Sequence, residues 1–153
     1  MTTLLSLAAR VEALTGPSKE VDRAVARVVG WFRVEPRHSR SRYGGWIAPD
    51  DFIGAYRDGS PMLDGLHGTT IWRDPPSWTA SVDAVIALIE RELPGWRVEQ
   101  IAWEPEPGGR VGAAIRSLTD ASRREDSGPC ATPALALLAA ALRANAARAQ
   151  GEG

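Results

Sequence analysis

Apolar side chains recur every three or four residues in two adjoining stretches near the N-terminus, and this spacing is typical of one face of an α-helix. The first stretch predicts a helix from about Thr3 to Thr15, ended by the Gly16–Pro17 pair. The second predicts a helix from about Pro17 to Val29, with Gly30 as its C-terminal stop.

Two more helices are predicted in the C-terminal half. The third begins at a cap supplied by Thr79 or Ser81 and ends at residues 94–95, a Pro-Gly pair. The fourth begins with Thr132 as N-cap and Pro133 at the first helical position. Its first two turns have almost no polar side, so we expect it to be buried between a sheet and another helix.

Alternating apolar and polar positions predict two strands, Trp96–Trp103 and Arg110–Leu118, joined as a hairpin by a turn rich in proline and glycine. Along the first strand the apolar positions change phase near Gln100, which indicates either a bulge or burial on both faces. We expect both tryptophans of this strand to lie in the core. Residues 119–128 are predicted to be a charged loop.

The middle of the chain, residues 31–77, has weak apolar periodicity and many glycines and prolines. Short strands are predicted near Trp31–Val34, Gly45–Ala48 and Thr69–Arg73. So long a stretch without strong elements is unusual in a compact domain, and it is typical of an elaborated functional segment or a set of short edge strands.

The order of these elements predicts an α+β protein. We expect a layered α/β/α-type sandwich with a small antiparallel sheet and about four helices, since helices precede and follow the hairpin. The length suits a single domain over residues 1–153, with residues 149–153 as a frayed tail.

Composition narrows the function classes. The 153 residues carry a formal net charge of −1, which gives no overall attraction to nucleic acid or a membrane surface. We see no signal peptide and no apolar run near the roughly 20 residues that cross a bilayer, so a cytoplasmic protein is expected. Cys130 is the only cysteine and is expected to be a small buried side chain rather than a nucleophile.

Four short stretches, taken in order, are similar to a known family. They are Leu-Ala-Ala-Arg-Val-Glu-Ala-Leu-Thr-Gly-Pro (Leu7–Pro17), Trp-Thr-Ala-Ser-Val-Asp (Trp78–Asp83), Pro-Gly-Trp (Pro94–Trp96) and Ala-Thr-Pro-Ala-Leu-Ala-Leu (Ala131–Leu137). With the elements they open, they cover about half of the chain. The set resembles the phage ABA-sandwich domain family, whose members are small phage and prophage proteins.

The resemblance implies a layered fold and a phage or prophage origin, and the family offers no catalytic residue to carry over. It also implies an accessory protein of the bacterial cytoplasm that binds a host protein or complex. Such host partners include defence systems such as CRISPR. Residues 31–77 match no part of the family pattern, so we expect what is particular to this protein to lie there.

The strongest candidate for chemistry is the segment Arg37–Trp46, Arg-His-Ser-Arg-Ser-Arg-Tyr-Gly-Gly-Trp. Arginine forks match phosphate and carboxylate oxygens, and aromatic rings stack on bases or guanidinium planes. The candidate binding residues are Arg33, Arg37, His38, Arg40, Arg42, Tyr43 and Trp46. The alternative without a binding role is a solvated basic loop whose charge is balanced by nearby acidic residues. For Trp46, packing in a core or groove is the default, and an exposed ring would indicate an interface.

Signatures of enzymes and metal sites are missing from the sequence. There is no nucleophile elbow, Walker loop or dinucleotide fingerprint, and nothing pairs His38 or His67 with a nucleophile, so neither an enzyme nor a cofactor is predicted. The acids of the middle segment fit no known metal-binding spacing, and we expect them to be solvated or to pair with the arginines. They are Asp50, Asp51, Asp58 and Asp64.

Three functions stay open on the residues alone. The first is a protein-binding inhibitor that acts through residues 31–77. The second is a nucleotide or nucleic-acid binding protein that holds phosphates with the segment Arg37–Trp46. The third is a virion or assembly protein, which would form a homo-oligomer. No membrane partner is expected.

Overall fold

A computed structural model of the chain describes residues 3–34, 45–55, 61–63, 73–104 and 109–151. In these ranges the helices are α1 (Leu4–Glu12), α2 (Lys19–Val28), α3 (Val82–Glu92) and α4 (Pro133–Gly151). The strands are β1 (Phe32–Val34), β2 (Gly45–Ile47), β3 (Phe52–Ala55), β4 (Pro61–Leu63), β5 (Trp96–Trp103), β6 (Val111–Ser117) and β7 (Arg124–Asp126). The predicted α+β class is confirmed, whereas the layered α/β/α arrangement is not confirmed and stays a prediction.

The chain divides into two compact units. The first contains residues 1–24 and 77–153, and the second contains residues 25–76, so the boundary lies within α2. The second unit nearly coincides with the segment 31–77 that lacked a clear pattern in the sequence.

Helix α4 forms the core of the first unit. Every residue from Ala134 to Leu142 is buried, as the missing polar side of this stretch predicts. The helix contacts α1 and α3 as well as β6 and β7, so it has both helices and a sheet as neighbours. The Thr132 hydroxyl accepts the Leu135 N–H at 3.3 Å and caps the helix as predicted. At its other end α4 runs on to Gly151, so residues 149–151, expected to fray, are helical.

The other helices begin at hydroxyl caps. Ser81, rather than Thr79, caps α3, because its side chain accepts the Ala84 N–H at 3.2 Å. The Thr79 hydroxyl is instead 3.0 Å from the buried Asp22 carboxylate and accepts the Ser18 N–H at 2.8 Å. Both bonds fasten the loop before α3 to the start of α2.

An antiparallel three-stranded sheet, in the order β5-β6-β7, completes the first unit. The predicted hairpin is confirmed, and its register shifts between Val98 and Gln100, so the predicted phase change is a β-bulge. Because paired residues share a face, the bulge puts Ile101 on the same face as Val98, opposite the buried Ala113 and Ile115 of β6.

Two expectations for this region are wrong. Trp103 is 64% exposed rather than in the core, because its strand β5 is the outermost of the described strands in this sheet. The loop predicted over residues 119–128 contains β7, whose residues Arg124 and Glu125 pair with Arg116 and Ile115. The prediction missed this strand because its side chains are charged and show no apolar alternation. Arg124 instead forms an ion pair with Glu99 at 2.8 Å across the sheet.

The second unit contains two small antiparallel sheets, β1 with β2 and β3 with β4. The predicted strands near residues 31–34 and 45–48 are confirmed as β1 and β2. The pair β3–β4 was not predicted. Of the predicted strand Thr69–Arg73, only Arg73 lies within the described residues.

Candidate functional site

The strands β1 and β2 form a hairpin in which Arg33 lies opposite Trp46. Residues 35–44 join the two strands, and they carry five of the seven candidate binding residues. These five, Arg37, His38, Arg40, Arg42 and Tyr43, lie outside the described residues. The described structure therefore shows the base of the candidate site, formed by Arg33, Trp46 and their neighbours.

Trp46 is the centre of this base. Its side chain is 3% exposed, in agreement with the default expectation of core packing. The guanidinium carbons of Arg27 and Arg33 lie over the ring, at 5.4 and 5.6 Å from its centroid. These distances are typical of cation–π contacts, which hold a guanidinium against the ring.

A tight turn brings Arg27 to the hairpin. Gly30 has a φ of +93°, and the Trp31 N–H donates to the Ala26 carbonyl at 2.9 Å, which closes α2 with a left-handed C-cap. The chain reverses there and enters β1 two residues later. The last turn of α2 therefore lies beside the hairpin, with Arg27 over the Trp46 ring.

Arg73, which is distant in sequence, contacts both β2 and the turn that follows it. Its backbone N–H donates to the Trp46 carbonyl at 3.2 Å, and its guanidinium bonds the Asp51 carboxylate at 2.9 Å. Asp51 is thus an acid that pairs with an arginine, as expected for the acids of this segment. Its other oxygen, Oδ2, is buried without a hydrogen-bond partner among the described residues.

Three arginines, Arg27, Arg33 and Arg73, lie around Trp46 at the base of the hairpin. Arg73 is neutralised by Asp51, whereas Arg27 has no carboxylate partner within the described ranges. Among those ranges, no group of three His, Cys, Asp or Glu side chains could hold a metal ion. Asp58, Asp64 and His67 lie outside them.

Cys130 lies in the first unit and has the environment of an inert thiol. It is fully buried, and this burial, together with the nearby Glu12 carboxylate, raises the pKa of the Cys130 thiol to about 11. A thiol with so high a pKa carries almost no thiolate at neutral pH, as expected of a structural side chain.

Arg27 was missed by sequence reasoning. In the helical pattern of α2 it lies off the apolar stripe, and such a residue is ordinarily a solvated charge. Its contact with Trp46 joins residues 19 positions apart, so no local spacing could indicate it.

No protein-family model, curated protein or solved structure matches the chain. In the part of the chain that is described, no helix combines the length and apolarity needed to cross a bilayer.

Proposed function

We propose that this protein acts by binding, and that its basic hairpin docks on an acidic surface of another protein. The basic hairpin is defined here as β1, β2, the joining residues 35–44 and Arg27. The observation that carries the proposal is the buried Trp46 ring with the guanidinium groups of Arg27 and Arg33 over it.

The buried Trp46 ring holds two cationic side chains, Arg27 and Arg33, in place beside the hairpin. A guanidinium held by a ring loses less side-chain freedom on binding than a solvated one, and so it binds at a smaller entropic cost. In the sequence, the joining segment contributes three more arginines, Arg37, Arg40 and Arg42. Arginine forks bind carboxylates through two parallel hydrogen bonds, and arginine is enriched where interfaces concentrate their binding energy.

Two observations favour a protein partner over a nucleic acid. Proteins that bind single strands offer exposed aromatic rings on which bases stack, whereas the Trp46 ring is covered. Nucleic-acid binding also gains from a strongly basic domain, and the whole chain has a net charge of −1. A local basic patch on a nearly neutral chain fits a complementary acidic patch on a protein.

The four stretches that resemble the phage ABA-sandwich family support a further part of the proposal, namely that the bound protein belongs to a bacterial host. On this reading the chain is a phage or prophage accessory protein in the bacterial cytoplasm. Its partner is a host protein or complex, a class that includes defence systems such as CRISPR.

The test is site-specific photocrosslinking in bacterial cells. Benzoylphenylalanine replaces Ser41, within the joining segment, or Ala87, on the exposed side of α3. The proposal predicts a discrete protein adduct from position 41 and none from position 87. Changing Arg37, Arg40 and Arg42 together to alanine should abolish the adduct.

A charge-matched control separates the hairpin from general electrostatics. The variant R23A/R110A/R123A removes the same charge from exposed positions of the first unit and should keep the adduct. An adduct destroyed by nuclease would favour the nucleic-acid alternative. Equal adducts from positions 41 and 87, or one that persists in R37A/R40A/R42A, would refute the proposal.

A further inference from the structure

Among the described strands, β5 lies at an edge of its sheet, and its outer side has no backbone partner in the described residues. The Glu104 N–H donates to the Arg110 carbonyl, and the Gly95 carbonyl accepts the Leu118 N–H. These two residues flank β5, and both direct their backbone groups toward the β6 side. Successive residues of a strand point their N–H and C=O alternately to the two sides. Val98, Ile101 and Trp103 therefore direct theirs to the open side, where no described residue pairs with them.

Exposed apolar side chains accompany this open edge. Ile101 is 37% and Trp103 64% exposed, and both share a face with Trp96 and Val98 because of the bulge. A long edge strand with exposed apolar side chains is a template for strand addition, since it offers both main-chain hydrogen bonds and apolar contacts.

The bulge restricts which strand can fit. Outward-facing backbone groups normally recur every second residue, but across the bulge they are three residues apart, at Val98 and Ile101. A regular strand matches this edge on only one side of the bulge. A second copy of β5, reversed by a two-fold axis, has the same three-residue spacing and matches on both sides.

We propose that two copies of this chain pair through β5, antiparallel, about a two-fold axis between Glu99 and Gln100. In this register Val98 lies opposite Ile101 of the partner subunit, and each exchanges backbone hydrogen bonds with the other. Trp96 lies opposite Trp103 of the partner subunit, so the exposed tryptophan is covered by an aromatic contact on the same face. The two three-stranded sheets become one continuous sheet.

The charges of β5 complement each other in this register. On the other face of the sheet, Arg97 lies opposite Ala102 of the partner subunit and diagonally beside Glu104 of the partner subunit. Neither Arg97 nor Glu104 forms an ion pair with any described residue of its own chain. The two-fold axis makes this pair twice.

Sedimentation equilibrium of the full chain, from low micromolar to near-millimolar concentration, tests the pairing. A monomer–dimer equilibrium is expected. Trp103→Ala should weaken dimerisation by about tenfold or more, because it removes the aromatic contact on both sides. The matched control is Leu118→Ala, which removes a side chain of similar exposure, 60%, beyond the end of β6 and should leave the dimer intact.

A charge exchange tests the register itself. Arg97→Glu and Glu104→Arg should each weaken dimerisation by roughly tenfold, since each turns two attractions into two repulsions. The double variant R97E/E104R should restore it. All four residues changed in these variants are exposed in the single chain, so circular dichroism should show unchanged folding.

A strictly monomeric protein at all concentrations would overturn the proposal. So would a dimer that is equally sensitive to Trp103→Ala and Leu118→Ala, or one that the charge exchange does not rescue. The pairing does not involve the basic hairpin, so R37A/R40A/R42A should leave the dimer unchanged. Sedimentation therefore tests the dimer, and photocrosslinking tests the hairpin, independently of each other.

Discussion

Replacing Glu12 by alanine should strongly destabilise the first unit. The Glu12 Oε1 atom accepts two hydrogen bonds from Arg143 of α4, at 2.9 Å from Nε and 2.7 Å from Nη2. The same atom accepts the Gly128 N–H at 3.0 Å, in the segment between β7 and α4. One carboxylate at the end of α1 thus fastens two other parts of the unit.

The magnitude follows from what alanine leaves behind. The Gly128 N–H is half-buried and loses its acceptor, which costs about 1–3 kcal/mol. The ion pair itself is partly solvated, since the Arg143 side chain is 34% exposed, so its loss adds only about 1 kcal/mol. The sum is about 2–4 kcal/mol in the free energy of unfolding, or roughly 5–15 °C in the thermal midpoint.

Urea unfolding followed by circular dichroism measures this loss. Glu12→Gln keeps an acceptor for Gly128 but removes the charge, so it should cost about half as much. Gly128→Ala provides a second check, because a Cβ there would lie 2.9 Å from Glu12 Oε2, and Arg143 holds that carboxylate in place. Its cost should nearly vanish in the Glu12→Ala background. A Glu12→Ala protein within about 0.5 kcal/mol of the wild type would show that this carboxylate does not stabilise the unit.

Three further predictions concern the first unit. Leu138 is fully buried in α4, so Leu138→Ala should cost about 2–5 kcal/mol in urea unfolding, and a loss below about 1 kcal/mol would contradict the packing. The buried Cys130 thiol, with its pKa of about 11, should react with a thiol reagent at pH 8 only as fast as the protein opens, and immediate stoichiometric reaction would contradict its burial. Burial raises the pKa of the Asp22 carboxyl, although hydrogen bonds from Thr79 oppose the shift. The folded state then binds this proton more tightly than the unfolded state, so the contribution is greatest below about pH 4 and is lost as pH rises through the folded pKa. Wild type should therefore lose stability relative to Asp22→Asn between pH 4 and pH 7, and a constant difference would be evidence against the shift.

Local signals in the sequence were sufficient for the helices and the long hairpin. The cap at Thr132 and the stop at Gly30 appear where the residue pattern predicts them, and of the two alternatives predicted for the phase change near Gln100 the structure shows the bulge. Each depends on neighbours within a few residues, such as a hydroxyl before a helix or a change of apolar phase. Helix ends were less accurate, since α1 stops at Glu12 rather than near Thr15.

Contacts between distant residues explain what the sequence did not reveal. The exposure of Trp103 follows from the order of strands in the sheet, which no local pattern encodes. Strand β7 consists of three charged residues whose strand conformation depends on pairing with β6. Arg27 joins the candidate site only because α2 turns back at Gly30 toward Trp46.

Native mass spectrometry of the tagged protein, purified gently from a bacterial host, tests the central proposal most directly. We expect a complex with one host protein at a fixed ratio, present in R23A/R110A/R123A and missing in R37A/R40A/R42A. A homodimer alone would double the chain mass and is distinguishable from such a complex. A protein without a host partner, or a partner retained by R37A/R40A/R42A, would contradict the assignment of binding to the basic hairpin.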